Sequence, residues 1–435
     1  MSRVLGLCQR AAKVDLEALE AAVRGAALAA GAKVLEEMLA PVGVGRREEA
    51  VRCTCGRAMR SLGLRAKSVL TLLGPLRLSR SAYACPACGR TCYPGDEELD
   101  VAGTGYSPGV RRLVADFACD APFKRVSEQL KAGAALSISR KDCERVAESV
   151  GADMAAWVAS EHTGLRFTEP PPPEAPKSIE TLCIEFDGTG VPMVPWEVEG
   201  RKGKQEDGRA KTREAKVGCV FTHTEVNENG RPIRDADTTS FTGAIESAAA
   251  FGERIYAEAV RRGLYQAKHV VCITDGAEWI RNIVQTHFPS AIHVIDLYHA
   301  REHLLELCRL LFDRDLKRLN RHKNVWWEAL DEGCVETILK QATDLLPRDP
   351  NAAKDARREI GYFHTNKDRM RYGEYFQKGY FVGSGVIEAA CKTVIGQRLK
   401  QSGMEWTSRG ANAIIALRCV QRSGRFEDYW EQRVA

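Results

Sequence analysis

The chain has 435 residues, of which 44% are hydrophobic and 28% are charged, and its formal net charge at pH 7 is +5. This is ordinary globular composition, and the length suggests roughly two to four domains. No apolar run is long enough to span a bilayer, and the N-terminus lacks a signal-peptide pattern. We therefore exclude a membrane protein and expect a cytoplasmic one, while the mild net charge alone says little about partners.

Residues 1–50 are predicted to form an N-terminal helical segment. From about Val14 to Leu39, apolar side chains recur at helical spacing. We expect this face to pack on its own domain, and pairing with a second copy of the chain is the alternative. The apolar positions are Leu16, Leu19, Val23, Ala27, Ala30, Val34 and Met38.

Residues 51–100 contain two cysteine pairs, Cys53-Thr-Cys55-Gly and Cys85-Pro-Ala-Cys88-Gly, separated by strand-like sequence. Four thiolates in this arrangement predict a zinc-ribbon-like domain with a structural Zn²⁺, because tetrahedral zinc fixes four such ligands. Free thiols are the alternative, and Cys92 is a possible substitute ligand. Most of the other cysteines lie singly in apolar runs, which is typical of buried thiols in a reducing compartment.

Residues 101–167 are predicted to be helical, with helices beginning near Ser107, Phe123 and Ser139. Short helices with a basic third member are typical of a helix-turn-helix DNA-binding domain, and a plain helical module is the alternative. Residues 168–177, Thr-Glu-Pro-Pro-Pro-Pro-Glu-Ala-Pro-Lys, predict a semi-rigid linker. The linker divides the chain into a front half and an acidic second half.

The second half places acidic residues at the ends of apolar runs. Asp187 follows Leu-Cys-Ile-Glu-Phe, Asp275 follows Val-Val-Cys-Ile-Thr, and Glu388 lies in Gly-Ser-Gly-Val-Ile-Glu-Ala-Ala-Cys-Lys. Short apolar runs stopped by Asp-Gly predict buried strands, and α/β folds expose reactive groups at strand ends. Carboxylates gathered there favour two Mg²⁺ (or Mn²⁺) ions, which are the catalysts of phosphodiester cleavage and joining.

The order of predicted elements favours an α/β fold with an RNase H-like mixed sheet. The order is a hairpin followed by a βαβ unit, with the first acid on the first strand. The catalytic core is expected to begin with residues 178–299, to be interrupted by an all-α insertion over 300–380, and to resume over 381–435 with Glu388 and the C-terminal helices. The predicted elements are a strand ending at Asp187, extended segments at Met193–Val198 and Val217–Thr222, a helix over about Gly243–Arg262, a strand ending at Asp275, a helix from near Ala277 and a strand over Ala291–Ile295.

Four segments resemble bacterial insertion-sequence DDE transposases, and the ISKra-type family, related to mutator-type enzymes, in particular. They are Asp187–Met193, Asp275–Trp279, Asp296–His303 and Gly383–Met404. From the residues alone, Glu185, Glu246, Glu278 and Glu302 are alternatives to Glu388 as the third acid. The resemblance implies a catalytic, Mg²⁺-binding triad of Asp187, Asp275 and Glu388, and a helical insertion before the Glu. It also implies a motif in which a Cys or an Asp is followed, after two intervening residues, by a His. Asp296 and His299 match this motif.

Asp296 and His299 complete the candidate catalytic set. Asp296 is interpreted either as a fourth site carboxylate or as the cap of the following helix. His299 is expected to support phosphate or the triad geometry, and His303 to be a helix-face residue. A zinc site made by the two histidines is the alternative.

Two basic segments are predicted to contact DNA phosphates. The first is the glycine-containing, cation-rich run from 201 to 216, interpreted as a hairpin, with a solvated loop as the alternative. In the second, Trp406 is interpreted either as a base-stacking residue or as a core residue. The candidates are Lys202, Lys204, Arg209, Lys211, Arg213, Lys392, Arg398, Lys400, Arg409 and Trp406.

The sequence thus predicts a transposase that binds the ends of its element, cleaves them and joins them to target DNA. A catalytically inactive DNA-binding regulator and an RNase H-like nuclease without strand transfer are the alternatives. Holding two DNA ends implies at least a homodimer, associated with the nucleoid when it is bound to DNA.

Overall fold

The computed structural model describes residues 15–42, 45–167, 179–203, 208–235, 237–312, 315–347 and 350–433. It divides into two compact units, Met1–Val150 and Gly151–Ala435. This boundary falls inside a helix, whereas the predicted linker, 168–177, lies outside the described residues. Among the described helices, none is both long and apolar enough to cross a membrane.

The first unit contains one long helix, a small antiparallel sheet and a group of helices. β1 and β2 pair as a long hairpin and β3 adds a short third strand. In chain order the elements are α1 (Leu16–Val42), β1 (Arg60–Thr71), β2 (Gly74–Ala84), β3 (Thr91–Cys92), α2 (Pro94–Glu98), α3 (Pro108–Asp120), α4 (Phe123–Ala134) and α5 (Arg140–Phe167), the last of which continues into the second unit.

Helix α1 packs on the hairpin through the face opposite to the predicted one. Ala32 is buried, and Leu39 packs against Val69 and Leu78. The expected core face is largely exposed, and Val23 and Val34 keep 58% and 56% of their surface. The expectation that this face packs on its own domain is therefore wrong. The helix is apolar on two sides, so periodicity alone could not show which side the sheet covers.

The three predicted helices of residues 101–167 are present, and serine hydroxyls cap two of them. Ser107 Oγ accepts from Val110 N at 3.3 Å, and Ser139 Oγ accepts from Asp142 N at 3.1 Å. Capping of this kind satisfies N–H groups that have no partner inside the helix. The third helix, α5, is 28 residues long rather than short.

The second unit is built on a five-stranded mixed sheet with the order β10-β9-β4-β5-β8. β4, β5 and β8 are antiparallel, while β4, β9 and β10 are parallel. Its elements up to the last strand are β4 (Ile179–Pro192), α6 (Pro195–Val198), β5 (Thr212–His223), β6 (Glu225–Val226), β7 (Pro232–Ile233), β8 (Ser240–Ala244), α7 (Ala248–Arg261), β9 (Ala267–Thr274), α8 (Glu278–His287) and β10 (Ile292–Ile295).

A large hydrophobic core lies between this sheet and helices α7 and α8. Phe186 on β4, Phe251 on α7 and Ile280 on α8 are all buried in it. Buried apolar side chains on adjacent strands and helices remove a large apolar area from water, which fixes the register of the strands. The core therefore holds the ends of β4 and β9 in place relative to each other.

Three local predictions differ from the structure. β4 does not end at Asp187 but runs on to Pro192, because β5 stays paired with it as far as Thr212. The segment Met193–Val198 contains the short helix α6 instead of a strand. The helix expected from Gly243 begins at Ala248, after strand β8.

The rest of the chain is helical. The segment predicted to be an all-α insertion contains α9 (Leu297–Phe312), α10 (Leu316–Asp331), α11 (Val335–Asp344), α12 (Pro350–Asn366), a 3₁₀ turn (Lys367–Arg369) and α13 (Tyr372–Gln377). Leu297 N donates to Val382 O at 2.8 Å, so the two ends of the insertion meet. After it come α14 (Gly385–Ala390), a π-helical turn (Cys391–Gly396), α15 (Gln397–Leu399), α16 (Ser408–Arg422) and α17 (Phe426–Gln432).

Candidate functional site

The four predicted zinc ligands of the first unit come together. Cys53 Sγ lies 3.5 Å from Cys88 Sγ, and Cys55 Sγ lies 3.6 Å from Cys85 Sγ. All four sulfur atoms lie within 4.8 Å of one another, so the group can hold a metal ion such as zinc. Cys92 is not part of this group.

Backbone amides favour the thiolate form of two of these cysteines, whereas hydrogen bonds to the neighbouring cysteines raise the pKa of Cys55 to about 11. A hydrogen bond from the backbone of Cys55 lowers the pKa of Cys53 to about 6, and one from the backbone of Cys88 lowers the pKa of Cys85. Zinc binds the thiolate form, so a lowered pKa favours binding. Four sulfur donors fit a structural zinc site and leave no open position for catalysis.

In the second unit, strand register places three aspartates at one edge of the sheet. Glu185 of β4 pairs with Ile273 of β9, so Asp187 and Asp275 each lie two residues further along neighbouring parallel strands. Asp296 follows β10, and its N–H donates to Thr274 O at 2.8 Å. Asp187 inside β4 therefore lies beside Asp275 and Asp296, which directly follow the carboxyl ends of β9 and β10.

The environment of Asp187 is short of positive charge. Burial raises its pKa, and the Asp275 and Glu214 carboxylates raise it further. The N–H of Gly188, 2.6 Å from Oδ1, and the His299 ring act in the opposite direction. Like charges at close range favour protonation of one of them unless a cation is bound.

The helix that carries Glu388 returns to the same strand. Ile387 N donates to Glu185 Oε2 at 2.8 Å, and Cys391 Sγ lies 3.9 Å from Asp187 Oδ2. The Glu388 side chain is exposed. The third predicted acid, although far away in sequence, is thus brought to the strand of the first.

Asp296 has two hydrogen-bonding roles. Its Oδ1 accepts from His299 N at 2.6 Å, which caps α9, and its Oδ2 accepts from Ser384 N at the start of the Glu388 segment. The side chain is buried. The structure therefore places Asp296 as a helix cap and a tie to the Glu388 segment, which agrees with one of its two interpretations.

His299 is connected to the helical insertion. His303 Nδ1 lies 2.6 Å from Glu359 Oε2, and His303 Nε2 lies 3.2 Å from His299 Nε2. A carboxylate only accepts, so a neutral His303 carries its proton on Nδ1 and accepts from His299 Nε2. The unprotonated Nδ1 of His299 then lies 3.7 Å from Glu302 Oε2. The Tyr362 ring stacks on His303 at 3.8 Å, and its hydroxyl donates to Asp275 O at 3.4 Å. His303 is therefore more than a helix-face residue.

The predicted acids do not form a ready-made metal cage. Within the described part of the chain, the cysteine group is the only set of three or more His, Cys, Asp or Glu side chains whose ligand atoms lie within 4.8 Å of one another. The same observation gives no support to a zinc site at His299 and His303.

The first basic segment forms a hairpin, as predicted. Lys202 and Arg209 form a β-bridge, and Gly203 N donates to Gly208 O at 2.8 Å. Lys202, Arg209 and Lys211 are exposed, and Lys204 lies outside the described residues. Arg213 is half-buried and its guanidinium lies 2.5 Å from Ser408 Oγ, so it ties β5 to the start of α16.

The second basic set divides into exposed and buried members. Lys392, Lys400 and Arg409 are exposed, and Lys400 Nζ lies 2.5 Å from Thr189 Oγ1, next to the acidic edge. Trp406 is buried and its indole N–H donates to Leu399 O at 3.0 Å, while Arg398 is fully buried. Neither of these two is placed to contact DNA, because both belong to the core of this unit.

Sequence reasoning gave no role to Cys391, Glu359 or Tyr362, and it considered Glu185 only as an alternative third acid. Burial raises the pKa of Glu185 to about 8, and its Oε1 has no hydrogen-bond partner. A charged residue type inside an apolar strand run was the available signal for Glu185. Glu359 and Tyr362 gave no signal, because their partners lie on a helix distant in sequence.

Comparison with known proteins gives matches of limited extent. The model of a family described as "Uncharacterised protein family (UPF0236)" matches residues 246–433. A curated relative, "UPF0236 protein in vanSb 3'region" of Streptococcus gallolyticus, is 23% identical over 353 residues, which are 78% of this chain and 68% of the relative. A solved structure, "Drosophila P element transposase strand transfer complex", aligns with 74% of this chain and 80% of its own at 10% identity and a TM-score of 0.23. Residues 246–433 are thus similar to UPF0236, and this range includes Asp275 and Glu388 but begins after Asp187.

Proposed function

We propose that the chain is a DNA transposase that cleaves phosphodiester bonds at the ends of an insertion sequence and joins them to target DNA. The observation that carries this proposal is the convergence of three acids from distant regions of the chain. Asp187 and Asp275 lie on adjacent parallel strands, and Glu388 returns to the strand of Asp187 through Ile387 and Cys391.

Two further observations support the transposase assignment. The sheet has the hairpin-then-βαβ order expected of an RNase H-like core, with Asp187 on its first strand. A helical segment separates the second acid from Glu388. Both features are implied by the resemblance of the acidic motifs to DDE transposases.

The donor chemistry at this edge fits Mg²⁺. All three predicted ligands offer hard carboxylate oxygens, and burial together with repulsion from Asp275 raises the pKa of Asp187. Mg²⁺ is usually held by one or two carboxylates together with substrate phosphates rather than by a complete protein cage. Separated acids therefore fit a metal that is bound jointly with DNA. When bound, two Mg²⁺ ions would activate the attacking oxygen and stabilise the leaving oxygen.

The chain's own residues would act around that reaction as follows. Asp187, Asp275 and Glu388 hold the metal, and Lys400 beside Thr189 contacts the phosphate backbone. His299, through Nδ1 beside Glu302, would accept a proton or a hydrogen bond from the attacking group. Exposed Lys202, Arg209 and Lys211 on the hairpin contact DNA phosphates, which makes binding salt-dependent.

The test uses labelled DNA that carries the sequences flanking the gene, a target plasmid and the purified full-length chain. We expect Mg²⁺-dependent cleavage and joining by the unmodified chain. Asp187→Asn should keep DNA binding. Its rates of cleavage and joining should fall by on the order of 10²–10³-fold or more, as expected for the loss of one preorganised charged group. Glu278→Gln, which changes an exposed acid near Asp275, is the matched control and should remain active.

The same assay separates the alternatives. Cleavage without joining would identify a nuclease, and binding without either reaction by the unmodified chain would identify a regulator. If Asp187→Asn cleaves as fast as the control, the assignment of the acids is wrong.

A further inference from the structure

Helix α1 presents an exposed apolar stripe that its own unit does not cover. We define the α1 stripe as Leu19, Val23, Ala27, Ala30, Val34 and Met38. At 100° per residue these positions fall on one side of the helix. Met38 keeps 66% of its surface exposed, and Val23 and Val34 keep more than half. Single exposed apolar residues are ordinary, but a continuous stripe marks an interaction surface.

Leu16 extends this face at its N-terminal end, and the rest of the stripe is the same when it is read from either end. From the N-terminal end inwards the order is Leu19, Glu20, Val23, Arg24, Ala27. Read inwards from the C-terminal end, the same order recurs at identical spacing: an apolar residue, an acidic residue, a valine, a basic residue and an alanine. Those residues are Met38, Glu37, Val34, Lys33 and Ala30. The centre of the stripe therefore lies between Ala27 and Ala30.

A stripe with this internal symmetry presents the same apolar profile to its own copy in either direction, and opposed helix dipoles favour the antiparallel one. A two-fold interface needs one patch that matches its own copy after rotation. In an antiparallel pair, Val23 of one helix would lie opposite Val34 of the other, and Ala27 opposite Ala30. Small side chains at the centre allow the two helices to approach closely, and the larger side chains at both ends pack against each other across the interface.

Charge and length agree with a homotypic pair. On the helical wheel Glu20 and Arg24 border one edge of the stripe, while Lys33 and Glu37 border the other, so its centre is uncharged. The stripe covers about 30 Å of helix. A single helix pair of this length buries less than the roughly 800 Å² per partner of a standard interface. The pair should therefore dissociate on dilution.

We propose that α1 pairs antiparallel with α1 of a second copy of this chain. The proposal does not depend on the proposed DNA chemistry, because it predicts the mass of the particle in solution and not an enzymatic activity.

The experiment is sedimentation velocity of the full chain over a range of concentrations. We expect the unmodified chain to form dimers, and Val34→Asp and Val23→Lys each to weaken the dimer at least tenfold. The double variant Val23→Lys/Val34→Asp should restore it, because an antiparallel pair places the new Lys opposite the new Asp. Leu64→Asp, which changes an exposed residue of β1, is the control and should leave the dimer intact.

Three results would overturn the proposal. They are a monomer at all concentrations, a dimer that Val34→Asp does not weaken, and a double variant that remains as weak as either single variant. The first is expected if residues 1–14 or an unrelated partner covers the stripe. The third would indicate a parallel pair. Circular dichroism of each variant shows whether α1 is still folded.

Discussion

Two sets of candidate metal ligands in this molecule differ in how far they are assembled. The four cysteine sulfur atoms of the first unit already lie within 4.8 Å of one another. The acids of the second unit share a sheet edge, but their oxygens are not gathered to that degree. The difference teaches that cysteine sulfur atoms, which can hydrogen-bond to one another, can be brought together before the metal arrives, whereas carboxylates need positive charge between them.

The chemistry of each site explains the contrast. A zinc site that stabilises a fold needs all four ligands and no vacancy. A site for phosphoryl chemistry has to leave room for the substrate, whose oxygens complete the metal coordination. Under the proposed function, the cysteine group contributes to folding, and the acidic edge contributes to a reaction that starts when DNA binds.

The largest expected effect tests the cysteine side of this comparison. We expect one zinc ion per chain, and we expect a strong chelator or Cys85→Ser to remove it and unfold residues 51–100. Structural zinc contributes on the order of 10 kcal/mol of binding free energy. Metal analysis and hydrogen exchange over β1 and β2 are the measurements. Cys92→Ser should keep the zinc, and a metal-free chain with a protected hairpin would contradict the prediction.

A second prediction concerns the buried carboxyl behind the acidic edge. Because burial raises the pKa of Glu185 to about 8, its stabilising effect is complete below its unfolded pKa of about 4.5. That stability is lost as the pH rises through about 8, and the loss should be a few kcal/mol. Glu185→Gln should remove this pH dependence. Urea denaturation of both proteins at about pH 5.5 and about pH 8.5 measures it.

Glu185 also serves as a hydrogen-bond acceptor, which gives a control for that experiment. Glu185→Gln keeps an oxygen for Ile387 N, whereas Glu185→Ala leaves this buried N–H without its partner. We therefore expect the alanine variant to be less stable than the glutamine variant at every pH. Equal stability of the two would show that the contact with α14 is unimportant.

The smallest expected effect concerns the histidine pair. Glu359→Gln should slow DNA cleavage about 10-fold, because residues that orient an active group typically contribute 10- to 100-fold. A glutamine amide can donate as well as accept, so the tautomer of His303, and through it that of His299, is less firmly fixed. The measurement is the pH profile of single-turnover cleavage. A lower rate with an unchanged profile would indicate a purely structural role for Glu359.

Glu336→Gln is the matched control for this variant, since Glu336 lies on α11 of the same insertion and is half exposed. It should leave both the rate and the pH profile unchanged. If both variants slow the reaction equally, the insertion acts as a whole and the histidine pair has no special role in it.

Local patterns in the sequence were sufficient for some features and insufficient for others. The two Cys-Gly pairs and the Asp-Gly strand signals predicted the cysteine group and the sheet positions of Asp187 and Asp275, because each of these residues lies in a local motif that can be recognised on its own. The continuation of β4 to Pro192 was missed, since pairing with β5 overrides a local turn signal.

Contacts between distant residues were beyond the reach of periodicity. His303 and Glu359 are 56 positions apart, and nothing in either segment alone identifies the other. Trp406 and Arg398 illustrate the opposite error, because residue types that often bind DNA here belong to the core. Burial is decided by the whole fold, so composition could not separate the two roles.

The junction at Asp296 has a consequence for how this fold can vary. The Asp296 carboxylate accepts from the N–H of His299, where the helical insertion begins, and from the N–H of Ser384, where it has ended, 88 positions after Asp296. Leu297 N and Val382 O join the same two points. The helices between them form a closed loop whose ends are already fixed. Each doubling of loop length costs only about 0.6 kcal/mol of closure entropy. Relatives can therefore lengthen or shorten this segment while Glu388 stays at its strand.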